Sequence, residues 1–206
     1  MTIEIWLGFV AASAVLLVIP GPTILLVVSY ALGRGWKVAA PVATGVALGD
    51  LTAMTLSMLG VGALLAGSAA LFTAVKWIGA GYLVFLGIKL WRAGAAFEAE
   101  ARTEAAAPGR MLAHAWLVTT LNPKSIVFFV AFLPQFLDPA RPFWPQMAVF
   151  EATFVTLAFA NAFGYALLAA RARRLAESPR AIRLFNRAGG TALIAAGAAA
   201  VTVRAA

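Results

Sequence analysis

The sequence predicts an all-α membrane protein of six transmembrane helices, arranged as two inverted three-helix repeats with the first and fourth helices broken. The observations behind this fold class are an excess of apolar residues, six long apolar runs, and helix breakers at matching places in two of those runs. Of the 206 residues, 63% are hydrophobic and 12% are charged, whereas soluble domains have about 45–50% and about 25%. A soluble fold could not bury so much apolar surface, so lipid must be part of its solvent.

The apolar runs approach or exceed the roughly 20 residues that a membrane-crossing helix needs. They cover about residues 3–32, 38–65, 70–91, 111–137, 145–170 and 189–204. The first run has no Lys or Arg before it and is too long for a signal peptide, which predicts a retained first span. We expect one membrane domain over residues 1–206, with repeat 1 at about 1–91, a cytoplasmic linker at about 92–110 and repeat 2 at about 111–206.

The basic residues predict the orientation of these spans. The links after runs 1, 3 and 5 contain twelve of the 16 Lys and Arg residues. The positive-inside rule places these links in the cytoplasm and both termini outside it. The net charge of +8 therefore reflects multi-pass membrane topology, and we expect no nucleic-acid partner. In the basic segment 171–187, Ser178 and Pro179 predict the start of an interfacial helix that contacts anionic lipid.

The scarcity of metal-binding side chains narrows the chemistry. Cysteine is absent, which excludes disulfides, thiolate metal sites and thiol redox reactions. One histidine, His114, and five methionines argue against a soft-metal pathway. We expect no metal and no cofactor.

Helix breakers lie at mid-depth in spans 1 and 4. Pro20, Gly21 and Pro22 cannot continue an α-helix, because the two prolines remove backbone donors and clash with the preceding turn. The freed backbone groups then need protein or water as partners. In span 4, Asn122 and Pro123 form the corresponding break. A simple kink that shapes packing is the alternative interpretation.

Two ionisable side chains lie at similar depth, where charge is costly and a functional role is the default hypothesis. Lys124 follows the second break, and snorkelling to the cytoplasmic interface is its alternative interpretation. Asp50 lies in span 2 after Gly45 and Gly49, a pair that permits close helix approach. A structural carboxylate is the alternative for Asp50. We hypothesise that Asp50 and Lys124 form a midplane pair in which a proton or substrate exchanges for one partner.

The two breaks align at an offset of 102 residues, which pairs Thr23 with Ser125. Because each half has three helices, a duplicated half would be inverted, as in transporters with broken helices at a midplane site. The half-helices that begin after Pro22 and Pro123 would direct free N–H groups at a carboxylate. Asp50 could meet an ammonium group or a proton. Together these groups predict a site for a zwitterionic amino acid.

The chain resembles the LysE/RhtB family of bacterial amino-acid exporters over nearly its whole length. The matching segments are PGP at 20–22, GRGWKVA at 33–39, GVALGD at 45–50, GAGYLVFLGIKLWRAG at 79–94 and NPKSIVFFVAFLPQF at 122–136. The resemblance implies export of amino acids or close derivatives, driven by the proton gradient and without a cofactor. The family roles carry onto Pro20, Gly21, Pro22, Gly45, Gly49, Asp50, Asn122, Pro123 and Lys124.

Second-tier site candidates are Thr23, Ser125, Glu151 and Asn161. Glu151 lies close to the repeat counterpart of Asp50, and Asn161 is polar in apolar company. Because Asp50 is the one clear acid at the centre, we expect a neutral or small polar substrate. Small-residue faces on span 2 or span 6 suggest a homodimer.

Three other function classes compete with an exporter. An intramembrane aspartyl protease needs a second membrane Asp, but Asp138 lies beside Pro139 in an outer loop. A serine–histidine enzyme would depend on His114 without an obvious serine elbow, so we expect no enzyme and no catalytic residues. An ion or metal permease of related fold lacks sufficient His, Cys and acidic residues. A non-transporting scaffold leaves both breaks and Lys124 unexplained.

Overall fold

The computed structural model describes residues 2–19, 21–67 and 107–171, with scattered helical positions between 74 and 92 and between 184 and 198. These residues form helices and turns, and no strand occurs among them. Most of predicted spans 3 and 6, of the 92–110 linker and of the interfacial helix after Ser178 lies outside the described residues, and so does Pro20. The six-span count and the inverted repeat therefore stay predictions.

Two bent helix pairs correspond to predicted spans 1 and 4. Helix α1 (Ile3–Val18) and α2 (Pro22–Arg34) meet at 55°, and α4 (Pro108–Thr120) and α5 (Pro123–Ala131) begin a pair bent by 47°. Each α-helix of these pairs has 16 residues or fewer, which is about 24 Å at most. None of the four crosses a bilayer of about 30 Å alone.

Two further helices are long and apolar enough to cross a membrane without a break. They are α3 (Ala39–Gly67) and α6 (Phe143–Arg171), with 29 residues each. The described residues thus contain two unbroken span candidates, or four if each bent pair is one span. This result confirms an all-helical, multi-pass membrane protein.

Local sequence explains where the short helices begin and end. The Thr2 hydroxyl accepts a hydrogen bond from the Ile5 amide at 3.4 Å and caps α1. Pro22, Pro108 and Pro123 occupy first-turn positions, where the missing N–H is not needed. Helix α2 ends at Gly35, whose φ of 74° lies in a region that side-chain-bearing residues avoid.

A stripe of buried side chains along α6 packs against the other helices. Its first members are large, with Phe150 and Phe154 fully buried, and its later members are alanines. Ring contacts join Phe9 of α1 to Phe150 at a centroid distance of 4.6 Å. The alanines face α2 and the start of α3, because Ala162, Ala166 and Ala169 share one apolar cluster with residues of those helices. The stripe therefore changes from interlocking rings to small side chains along its length.

The core consists of two apolar clusters. We call one the Tyr30 cluster and the other the Phe129 cluster. The Tyr30 cluster contains Val27, Tyr30, Ala31, Val38, Ala39, Val42, Ala43, Val46, Met111, Ala115, Ala162, Ala166 and Ala169. The Phe129 cluster contains Phe9, Leu16, Ala53, Met54, Met58, Phe128, Phe129, Leu133, Met147, Phe150, Phe154 and Ala158. Each bent helix pair and each of the two long helices contributes residues to both clusters. The polar residues that lie between the clusters are therefore covered on both sides.

Gly45 and Gly49 let α3 and α4 approach closely. A Cβ on Gly45 would collide with the Leu112 carbonyl oxygen, and one on Gly49 would lie 2.6 Å from Thr119 Cβ. These contacts agree with the expected role of small residues at membrane helix interfaces. The structure places both glycines in helix packing, and their assignment to the binding site stays a prediction.

We predict that Gly49→Ala lowers the thermal stability of the detergent-purified protein. The new methyl group overpacks the α3–α4 contact, at a cost of about 1–3 kcal/mol. The matched control is Gly60→Ala, because a Cβ at Gly60 has nothing within 4 Å. Alanine should leave stability there unchanged or raised by up to about 1 kcal/mol. Equal melting temperatures for the two variants would contradict the packing argument.

Candidate functional site

A layer of buried polar side chains separates the two apolar clusters. We call it the polar layer; each of its side chains is at most 8% exposed, and it comprises Thr23, Asp50, Thr119, Asn122, Lys124 and Ser125. On α3, Asp50 lies between Val46 of the Tyr30 cluster and Ala53 of the Phe129 cluster. The layer therefore lies where both helix breaks meet.

Direct contacts join the two breaks. The Asn122 amide nitrogen donates to the Thr23 hydroxyl at 3.0 Å, and the Thr119 hydroxyl lies 3.3 Å from the same oxygen. Gly21 packs on Lys124, since a Cβ at Gly21 would lie 3.4 Å from the Lys124 ammonium nitrogen. Residues about 100 positions apart in sequence are thus neighbours.

Asn122 has two roles at the second break. Its side-chain oxygen accepts from the Lys124 amide at 3.1 Å, which caps the N-terminus of α5. Its side-chain nitrogen meanwhile holds Thr23, near the start of α2. At that start, the N-cap Gly21 supplies no side-chain cap, so the backbone N–H groups of the first turn of α2 rely on other partners.

The ammonium group of Lys124 binds the C-terminal end of α1. Its nitrogen donates to the carbonyl oxygens of Leu16 at 3.0 Å and Ile19 at 2.7 Å. A cation is favoured there, because the C-terminal end of a helix carries partial negative charge. The alternative of Lys124 snorkelling to an interface is wrong, because its side chain is 6% exposed and its ammonium is held at the break.

The hypothesised direct pairing of Asp50 with Lys124 needs correction. Both residues are described, and no ion pair joins them; the charges act on each other at longer range. The Oδ1 atom of Asp50 is instead buried without a hydrogen-bond partner among the described residues. The reason is geometric, because the carbonyl groups freed at the end of α1 lie closer to the ammonium.

Two residues of α6 complete the cap of α1. The Asn161 amide donates to the Leu17 carbonyl oxygen at 3.0 Å, and the Tyr165 hydroxyl donates to the Val18 carbonyl oxygen at 2.8 Å. With Lys124, they supply a donor to each of the four carbonyl groups from Leu16 to Ile19. Asn161 therefore has a structural contact at the first break.

Sequence reasoning missed Tyr165 and Thr119. Tyr165 lies four residues after Asn161, so the two share a helix face, and that spacing is the signal that could have found it. Thr119 has a weaker signal, because a threonine before a break is common in membrane helices. Pro22 and Pro123 lie at the first positions of their helices.

Glu151 lies apart from the polar layer. Its carboxylate accepts a hydrogen bond from the Thr55 hydroxyl. It lines a cavity of about 90 Å³ with Met58, Phe143 and Trp144 among the neighbours. The sequence predicts that Glu151 lies close to the repeat counterpart of Asp50. In the structure, however, the two carboxylates do not belong to one cluster.

A larger cavity adjoins the polar layer. Its volume is about 370 Å³, within the range of small-molecule sites. Ala53 lines it one helical turn from Asp50, and Ile126 lines it next to Ser125. The remaining lining residues are mostly apolar, with two hydroxyl groups among them: Leu56, Ser57, Gly60, Thr120, Leu121 and Val130. No group of three or more His, Cys, Asp or Glu side chains that could hold a metal occurs among the described residues.

Two broken helices that meet at a buried polar layer beside a cavity are typical of membrane transporters. The chain belongs to the family of LysE type translocators, whose family model matches residues 14–203. This membership confirms the resemblance found in the sequence motifs.

Two individual relatives match nearly the whole chain, and a third matches about two thirds of it. An uncharacterized membrane protein of Vibrio cholerae is 37% identical over 205 residues and covers 100% of both chains. A homoserine/homoserine lactone efflux protein of Salmonella typhi is 32% identical and covers 99% of both. A leucine efflux protein of Salmonella typhimurium is 38% identical over 138 residues, covering 66% of this chain and 65% of the relative. No solved structure matches the chain.

We predict that Asn122→Ala lowers the melting temperature. The variant loses the α5 cap, which leaves the buried amide of Lys124 without its acceptor, and a buried polar group left unpaired costs about 1–3 kcal/mol. Thr156→Ala is the control, because Thr156 is exposed and bonds only to the Ala152 carbonyl of its own helix, at 2.7 Å. A similar loss in both variants, measured by thermal unfolding in detergent, would refute the special role of Asn122.

Proposed function

We propose that the protein is a secondary active transporter that exports amino acids or close derivatives across the bacterial inner membrane by proton antiport. The observation that carries this proposal is the meeting of both helix breaks in one buried polar layer. Membership in a translocator family supports it, and so do the names of the amino-acid efflux relatives.

The proposed architecture has six spans in two inverted repeats, within one membrane domain. Repeat 1 covers about residues 1–91 and repeat 2 about 111–206, joined by a cytoplasmic linker. The contacts between the breaks at Gly21 and Lys124 support a shared central site. The basic links lie in the cytoplasm, and both termini lie outside it. A homodimer would form through the small-residue face of span 2 or of span 6.

The proposed substrate is a neutral or small polar amino acid. Its carboxylate is attracted by the positive N-terminal ends of α2 and α5. Its ammonium group, or a proton in the alternate step, is taken by Asp50, whose Oδ1 atom has no partner among residues 2–19, 21–67 and 107–171. The adjoining cavity, lined mostly by apolar residues, suits an uncharged side chain. L-Homoserine and L-leucine, which the names of the relatives suggest, are the first probes.

In the proposed antiport cycle, Asp50 releases its proton as it accepts the substrate. A protonated carboxyl carries no negative charge with which to attract an ammonium group. Loading of a proton and loading of an ammonium group thereby exclude each other at one carboxylate, which is the requirement for exchange.

We predict that Asp50→Asn abolishes transport driven by a pH gradient. In liposomes containing the purified wild-type protein, labelled L-homoserine or L-leucine should accumulate against its concentration gradient. The uptake rate should fall at least about tenfold in the variant, because the loss of a charge interaction of more than about 1.4 kcal/mol has that effect. Asp138→Asn is the matched control, because Asp138 pairs with Arg141 at 3.2 Å away from the polar layer. Wild-type rates in Asp50→Asn would end the proposed role of this carboxylate.

We also predict the topology that cysteine labelling will report. The natural chain has no cysteine, so single substitutions give a clean signal. On intact cells, a membrane-impermeant maleimide should label Arg141→Cys and should label Arg92→Cys only after the membrane is permeabilised. The reverse pattern would place the termini in the cytoplasm and overturn the proposed orientation.

A further inference from the structure

The end of α1 presents two backbone carbonyl oxygens to a positive charge inside the protein. Leu16 and Ile19 accept from the Lys124 nitrogen at 3.0 and 2.7 Å, which are hydrogen-bond distances. Lys124 is 6% exposed. Because an ammonium has three donors, one N–H remains beyond these two bonds.

The neighbouring carbonyl groups show that the cap itself needs no charge. Leu17 and Val18 are bound by the neutral amide of Asn161 and the hydroxyl of Tyr165. The positive charge of Lys124 is therefore explained by the negatively charged groups around its ammonium group. Those surroundings combine the negative end of α1 with the buried carboxylate of Asp50, whose Oδ1 atom has no hydrogen-bond partner in the part of the chain that the structure describes.

We infer that the carbonyl end of α1 is a binding site for a primary ammonium group, which the chain fills with the side chain of Lys124. The Lys124 ammonium thus acts as a ligand that is covalently attached to the protein. The methylene groups of Lys124 also pack on Gly21, where an added Cβ would lie 3.4 Å from the Lys124 Cε atom. The inference deepens the proposed export function on which its relevance rests, since an amino-acid substrate carries the same ammonium group.

Removal of the tether provides the test. Lys124→Ala deletes three carbons and the nitrogen, which are the heavy atoms of n-propylammonium. The vacated site should take up this cation, and binding to the folded state raises its stability as the concentration increases. The measurement is the melting temperature of the detergent-purified variant in n-propylammonium chloride. 1-Propanol is the uncharged comparison compound of equal size, and choline chloride is the comparison salt at equal ionic strength.

We expect a saturable rise in melting temperature with n-propylammonium in Lys124→Ala and none with either comparison compound. Wild type should not respond, because Lys124 fills the site. Lys124→Met should not respond either, because its uncharged side chain occupies the same space. Asn161→Ala is the matched control, since it removes a neutral cap from the adjacent carbonyl, and it should also be unresponsive.

An equal rise in wild type or Lys124→Met, or no rise in Lys124→Ala, would overturn the inference. If Lys124→Ala unfolds on extraction, the yield of monodisperse protein becomes the readout, and extraction with n-propylammonium should exceed extraction with choline. No difference in yield would count against the site. Because stability is measured without transport, failure of L-homoserine or L-leucine export in wild type would refute the proposed function and leave this result standing.

Discussion

The four carbonyl groups at the end of α1 constrain the structure around them. The prolines of the first break end the helix, so the carbonyls from Leu16 to Ile19 lose their intrahelical donors. In a membrane, a backbone group left unpaired costs several kcal/mol, because no solvent can replace the donor. The replacements come from α5 and α6, through Lys124, Asn161 and Tyr165. These bonds fix the position of the break relative to both helices.

The polar layer inherits its position from the same constraint. Lys124 can reach the end of α1 only if the second break lies beside the first, and the bond between Asn122 and Thr23 then joins the starts of α5 and α2. Apolar clusters on both sides keep water out and leave Asp50 at 2% exposure. Polar groups in such a place interact strongly with each other and with a bound charge.

The sequence predicted spans 1, 2, 4 and 5 and both breaks, because these follow from local properties of the chain. Pro22 and Pro123 cannot lie inside a regular helix, so the breaks could be located without knowledge of neighbours. The partners of the polar residues could not be derived in this way. Lys124 was expected to meet Asp50, since opposite charges attract, but helix rotation and the freed carbonyl groups decided otherwise. Tyr165 was missed for the same reason, because its partner lies 147 residues away.

The stripe on α6 implies different mechanical behaviour in the two halves of the protein. Phe150 and Phe154 interlock with Phe9 of α1, so sliding α1 along α6 would require several rings to change rotamer together. The alanines that face α2 present a nearly smooth surface, and a shift of α2 there disturbs few side chains. Small shear displacements of packed helices follow such surfaces. The contact between α2 and α6 therefore resists sliding less than the ring contacts between α1 and α6 do.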